Sequence, residues 1–399
     1  MKTFKYLLMQ MFYWACFCAI FSFANPYLSS KGVPVSTIGT ILAIASILSV
    51  IIQPYLAKLI DTYEFFTVRS SILLSLIVSV FAIILMIICD NPLILYTSYT
   101  IALCGFLNVQ TFMYPFIFEY MNRGYKVNFG FARGMGSISY AIASYTLGTL
   151  SAKYSLNFLP MYFLVLTILV ILMILTFRPL GKTKKHEEHI PDVSLRDFYN
   201  RNKSFFIVLL AIVLIFFTAT AFNNFLRNIL VSINYSNYEV GICFTLSSLS
   251  EFPVMASIPL LHKKFSYYTL FLVSAVGFSL KAIMLVIGTL SGNIYLIYFS
   301  QLFQALGFAL YIPVSLFYIT DTFETKDVIK AQAYIGTALT LGSILGNYIG
   351  AQICQNISIF ALLIISTIIS MLGTALIVKC AKKWGNNEQK ILWDFSCCF

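Results

Sequence analysis

Apolar stretches of about helical membrane length recur along the chain with short polar interruptions, and within each stretch the apolar character does not alternate residue by residue. Ile72 to Ile88, Met161 to Leu175 and Phe205 to Phe217, with their flanks, have the roughly 20-residue length that an α-helix needs to cross about 30 Å of hydrocarbon. Strands would alternate over about ten residues each. Twelve spans are predicted, beginning near Phe4, Thr37, Val68, Pro92, Phe129, Phe158, Ser204, Tyr238, Ser266, Asn293, Val328 and Ile357. The deepest break in hydrophobicity, Gly181 to Lys203, divides six spans from six. The predicted organisation is a six-helix bundle over 1–178, a cytoplasmic linker over 179–203, and a second bundle with a short cytoplasmic tail over 204–399.

Composition agrees with this pattern. At 59% hydrophobic and 10% charged residues, with a mean hydropathy of +0.86, the chain has too little polar surface for a soluble globule of 399 residues. The formal charge of +11 suggests nucleic acid until its placement is considered. With an inside start, Lys31, Lys153 and Arg227 fall outside, Arg133 and Lys281 fall within spans, and the remaining 21 of 26 basic residues lie inside. That is the bias of a multi-pass protein of the cell membrane with both termini cytoplasmic, its basic side facing anionic lipid. The N-terminal run lacks a small-residue cleavage site and is read as an uncleaved first span. Cys397 and Cys398 stand together in the tail, and none of the nine cysteines has metal or disulfide-framework spacing. His186 and His189 are three apart, which is not the i, i+4 spacing of a zinc helix, so the linker is read as solvated.

Two features point to chemistry. Gly241 to Leu261 is long enough to span yet carries Glu251, and an ionisable residue at that depth costs about 3 kcal/mol or more unless it is partnered or lines a wet path. The halves also repeat at about 200 residues. Gly39 in STIGTILAIASILS matches Gly241 in YEVGICFTLSSLSE, Cys104–Phe106 matches Leu306–Phe308, and 126–136 matches 326–336. Parallel six-helix repeats place a solute site near the midplane at the repeat interface.

IIQPYLAKLID, FGFARGMGS, the Glu251 stretch, FSLKAIM, QLFQALGFALYIP and KAQAYIGTALTLGSILGNYIGA resemble the major facilitator superfamily. The likeness is greatest to its oligosaccharide/proton symporter-like branch, with lactose permease and phenylpropionate-permease-like proteins. It covers nearly the whole chain and implies an all-α membrane fold of twelve helices in two pseudo-symmetric bundles, working as a secondary transporter. In its terms Glu251, Lys281, Gln301 and Gln304 match sugar- and proton-handling positions, Arg133 matches a solute-contacting arginine, and Asp61 belongs to a gating loop. Glu251 and Lys281 are expected to neutralise one another, as a structural pair or as substrate and proton machinery, with Glu251 the proton-coupling group. Gln301 and Gln304, three apart on one helix face, offer uncharged donors and acceptors.

Arg133 either meets solute or snorkels to the cytoplasmic interface, with Glu119 its candidate partner. Trp14, Asn25, Gln53, Asn108, Gln110, Asn223 and Asn224 are further candidate contacts. The loop after the second span departs from the superfamily pattern: Ala57 stands at a glycine position, and Glu64, Phe65 and Phe66 replace basic residues, leaving Arg69 to supply the charge. No span carries a nucleophile with a base, an acid dyad or a metal cluster, so an enzyme is not expected, nor a cofactor or bound metal. The expected activity is proton-coupled transport of a sugar, nucleoside or aromatic acid by a monomer. A proton-independent facilitator and a non-transporting receptor are the alternatives.

Overall fold

The computed structural model describes residues 2–180 and 195–395, and helices occupy all twelve predicted spans. The first span is α1 (Lys2–Phe17), a π-turn at Cys18–Ser22 and α2 (Ala24–Ser30). Spans two to six are α3 (Val35–Thr62), α4 (Val68–Ile88), α5 (Pro92–Met121), α6 (Phe129–Lys153) and α7 (Leu159–Leu175). A short α8 (Leu195–Arg201) precedes the seventh span, formed by α9 (Lys203–Asn224) and α10 (Leu226–Val231). Then come α11 (Asn237–Lys264) and α12 (Tyr267–Leu290), a tenth span split into α13 (Ile294–Leu302) and α14 (Phe308–Thr322), and finally α15 (Thr325–Asn356) and α16 (Ile359–Phe395). Side-chain caps set several starts: Thr67, Asn91, Asn128, Ser266 and Asn293 each accept a backbone N–H of the first turn.

Among the described residues eight helices are long and apolar enough to cross a membrane by themselves. Helices α6, α11 and α15 are not in that set, because glycine, serine and threonine dilute their hydropathy. Those small residues make close helix contacts, described below.

The sequence repeat is written into the backbone. The first span breaks at Phe23 (φ −94°, ψ 11°) and the seventh at Phe225 (φ −105°, ψ 14°), and both rings are fully buried. The short helices that follow end alike, at Gly32 with φ 75° and at Asn234 with φ 65°. Val33 N–H donates to Leu28 O just as Tyr235 N–H donates to Leu230 O. Glycine and asparagine are the residues that take this left-handed geometry most readily, so each repeat closes its turn with a suitable residue.

The chain groups into two compact units. One contains Met1–His186, Asn223–Leu249 and Asn347–Ile359, and the other Glu187–Phe222, Ser250–Gly346 and Phe360–Phe399. In the first, Gly105 of α5 lies against Ser75 and Ser79 of α4, and Tyr13 stacks on Phe106 while donating to its carbonyl at 2.9 Å. In the second, Phe198 of α8 is buried among Phe205, Phe323 and Tyr334, and Arg201 pairs with Asp327 at 3.2 Å. Gly342 and Gly346 of α15 lie against the backbone of Val213 and Phe217.

Candidate functional site

In the second unit the predicted polar residues converge, with an amide in the middle. Gln304 Nε2 donates to Glu251 Oε1 at 3.1 Å, and Lys281 Nζ donates to Gln304 Oε1 at 2.9 Å. Lys281 is 6% exposed. The expectation that acid and base neutralise one another across neighbouring helices is therefore refined: the Gln304 side chain links them and can do so in one orientation only. Its carbonyl faces the cation and its NH2 the anion. Two charge-assisted bonds at about 1.5–3 kcal/mol each are of the size needed to offset placing a charge in a span.

Gln304 reaches both partners because the tenth span is interrupted. Helix α13 ends at Leu302 and α14 begins at Phe308. Gly277 of α12 sits against the interruption, where a Cβ would stand 2.8 Å from Gly307 N, and Ser274 Oγ donates to Gly307 O at 2.7 Å. This corrects the reading that Gln301 and Gln304 share one helix face. Gln301 is 1% exposed and donates from Nε2 to Ser300 Oγ at 3.1 Å, while Gln304 lies in the turn.

An uncharged counterpart joins the equivalent spans of the first repeat. Gln53 Nε2 donates to Ser49 Oγ at 2.9 Å, and Ser49 Oγ donates to Asn108 Oδ1 at 3.0 Å. Spans two and four are thus linked as eight and ten are, without charge.

Arg133 lies among α1, α5 and α6 of the first unit. Its Cζ is 4.2 Å from the Trp14 ring centroid, Nε donates to Tyr114 Oη at 3.1 Å, and Nη1 donates to Ser137 Oγ at 3.4 Å. The guanidinium therefore turns into the bundle rather than snorkelling, and these groups hold it in place of the expected Glu119. Trp14 is itself fixed: Nε1 donates to Gln10 Oε1 at 2.9 Å, Gln10 Nε2 donates to Tyr6 Oη at 2.6 Å, and the indole lies against Gly136.

A third polar group closes the first unit at the end opposite the N terminus. Asn25 Nδ2 donates to Asn224 O at 2.9 Å and to Asn228 Oδ1 at 2.6 Å, and Asn224 Nδ2 donates to Asn347 Oδ1 at 2.5 Å. Asn25, Asn224 and Asn347 are buried. Glycines bring the backbones together beside them. Gly39 of α3 meets Asn347 and Ala351 of α15, and Gly148 of α6 meets Gly241 of α11. Thr245 Oγ1 and Ser248 Oγ of α11 donate to the carbonyls of Ala141 and Ser137 at 3.1 and 2.7 Å. The pairs two–eleven and eight–five are images under the repeat. Asn224, read from sequence as a solute contact, thus lies in this closing contact. Asn228, Asn347 and Gly148 were not singled out, although the register of Gly39 with Gly241 is the signal that leads to them.

Of the remaining candidates, Gln110 is half-buried on α5, and Asp61 is exposed near the end of α3. Arg69 Nη2 donates to Leu175 O at 3.4 Å and Lys5 Nζ to Thr176 O at 3.0 Å, so both cations sit at the C-terminus of α7, where the helix dipole favours them. His186, His189, Cys397 and Cys398 lie outside the described residues.

Comparison with known folds places the arrangement. The nucleoside transporter NupG superposes with a TM-score of 0.80 at 13% identity, over 95% of this chain and 98% of that one. A mutant of the peptide transporter POT gives 0.71 at 12% identity, over 96% and 95%. A bacterial metal transporter gives 0.65 at 11%, over 95% and 98%. No curated protein matches by sequence. The MFS_1 like family model matches residues 4–365. The chain belongs to that family, within the major facilitator superfamily.

Proposed function

We propose that this chain is a secondary transporter that moves a small polar solute across the cell membrane by alternating access, coupled to protons through Glu251. The Lys281–Gln304–Glu251 chain carries the reading. An ionised Glu251 accepts from the Gln304 amide. Once protonated, the carboxyl has a proton to donate, and the amide answers by presenting its oxygen. Lys281 then loses that acceptor. The proton on Glu251 is thereby felt at the interruption of the tenth span, the kind of irregular backbone that transporters use at binding depth. The asparagine and glycine contacts of the first unit support a state closed at one end, and the distribution of basic residues supports reading that end as the outer one. Arg133, Trp14 and Tyr114 supply solute contacts. Sugars, nucleosides and aromatic acids all suit such groups, and NupG, whose fold this chain shares, is a nucleoside transporter.

Uptake into vesicles with and without an imposed proton gradient tests the reading. Accumulation should follow the gradient, and Glu251→Gln should abolish accumulation while leaving exchange of solute. Uptake indifferent to the gradient makes the protein a facilitator, and normal accumulation by the variant removes Glu251 from coupling.

A further inference from the structure

Arg133 carries five N–H bonds in a fixed plane. Tyr114 takes the Nε proton and Ser137 one proton of Nη1, leaving three N–H bonds of the two Nη groups without a protein acceptor among the described residues. Nη2 makes no hydrogen bond within the described residues and is not among the buried polar atoms that lack a partner, so it is accessible. Trp14 covers the face of the guanidinium and leaves the edge open. Every group on Arg133 is neutral: an indole, a phenol and an alcohol. None is a carboxylate.

The cation is held rigidly all the same. Trp14 is wedged against Gly136 and tethered through Gln10 to Tyr6, and the Tyr114 ring packs on Phe129. An arginine oriented by three neutral neighbours, with its forked edge free, has the geometry that binds a carboxylate through two parallel hydrogen bonds.

We propose that the transported solute is a monoanion, a small carboxylic acid whose carboxylate docks on the Nη edge of Arg133. A dianion such as a phosphate monoester would bring two charges to one cation. The carboxylate instead balances it and takes the free donors. This rests on Arg133 contacting the solute, as proposed above, and it selects the acids from the three solute classes named there.

Trp14 is the reporter. With Trp384 and Trp393 replaced by Phe, it is the sole tryptophan, and its fluorescence reads occupancy of the guanidinium beside it. The full-length protein in nanodiscs is titrated with matched acid and neutral pairs: benzoate against benzamide, glucuronate against glucose, orotate against uracil, with inorganic phosphate as a further arm. At least one acid should change Trp14 emission and bind about tenfold or more tightly than its neutral partner. Arg133→Gln should remove that preference, and Arg133→Lys should keep a weakened one, which a merely structural arginine would not do. Equal binding of the neutral partners, no response to any acid, stronger binding of phosphate, or a preserved preference in a folded Arg133→Gln protein overturns the proposal. The two readings fail separately. Gradient-driven uptake of a neutral solute keeps the transporter and removes the anion, whereas acid binding without uptake does the reverse.

Discussion

Gly148 and Gly241 meet backbone to backbone: a Cβ on either would stand 2.7 Å from the other's Cα. Replacing either by alanine forces the helices apart, and overpacking of this kind costs about 1–3 kcal/mol. The closed contact should lose stability by a factor of about 5–150. Maleimide labelling of a cysteine placed at Thr245, in a background without native cysteines, should accelerate accordingly. An unchanged rate would show that the contact does not hold this end shut.

Asn224 and Asn347 should be energetically coupled. Truncating either to alanine removes the bond between them, and a cycle of single and double variants should show about 1 kcal/mol of interaction by thermal unfolding. Strict additivity would mean that the pair is incidental.

Gln304→Leu should be among the most damaging single changes in the second unit. It takes one charge-assisted hydrogen bond from Glu251 and one from Lys281 together, at about 1.5–3 kcal/mol each. Adding Glu251→Leu and Lys281→Leu should recover much of the loss, as measured by unfolding in detergent. A Gln304→Leu protein as stable as the parent would sink the bridging role.

Arg201 anchors the segment before the seventh span. Asp327 is 3% exposed, and its Oδ1 has no hydrogen-bond partner, so Arg201→Ala strands a carboxylate and should destabilise by about 3 kcal/mol. Asp327→Asn in the Arg201→Ala background should restore part of that. Protease sensitivity between α8 and α9 is the second readout, and no change in either measurement contradicts the anchor.

The spans were legible because twenty apolar residues in a row have one inexpensive structure in lipid, a helix, whatever their neighbours do. The repeat was legible for a related reason: Gly39 and Gly241 hold their positions through equivalent backbone contacts. What the sequence hid were the interruptions. Phe225 and Phe303–Gly307 lie inside apolar stretches with no proline at the break, and nothing in periodicity marks them, whereas the break at Phe23 has Pro26, which lacks the N–H that would reach the Ser22 carbonyl. At Gly307 the cause is tertiary, since Gly277 and Ser274 of another helix take up its backbone. The same break put Gln304 between Glu251 and Lys281, which a continuous helix wheel could not foresee. Arg133 was visible as a residue, but its setting was not, because Trp14 and Tyr114 come from spans one and four. The segment Leu195–Arg201 sat at the end of a polar linker, and only Phe198 hinted that it would dock.

The split of the tenth span also changes how that span must be surveyed. Cysteine accessibility along 294–302 should rise and fall with a period near 3.6 residues. Beyond Phe308 the same period should return with its phase displaced, since five residues of turn do not rotate the chain as five residues of helix would. A scan fitted with one continuous wave would assign residues after the break to the wrong side, and the size of the displacement measures how far the turn has unwound.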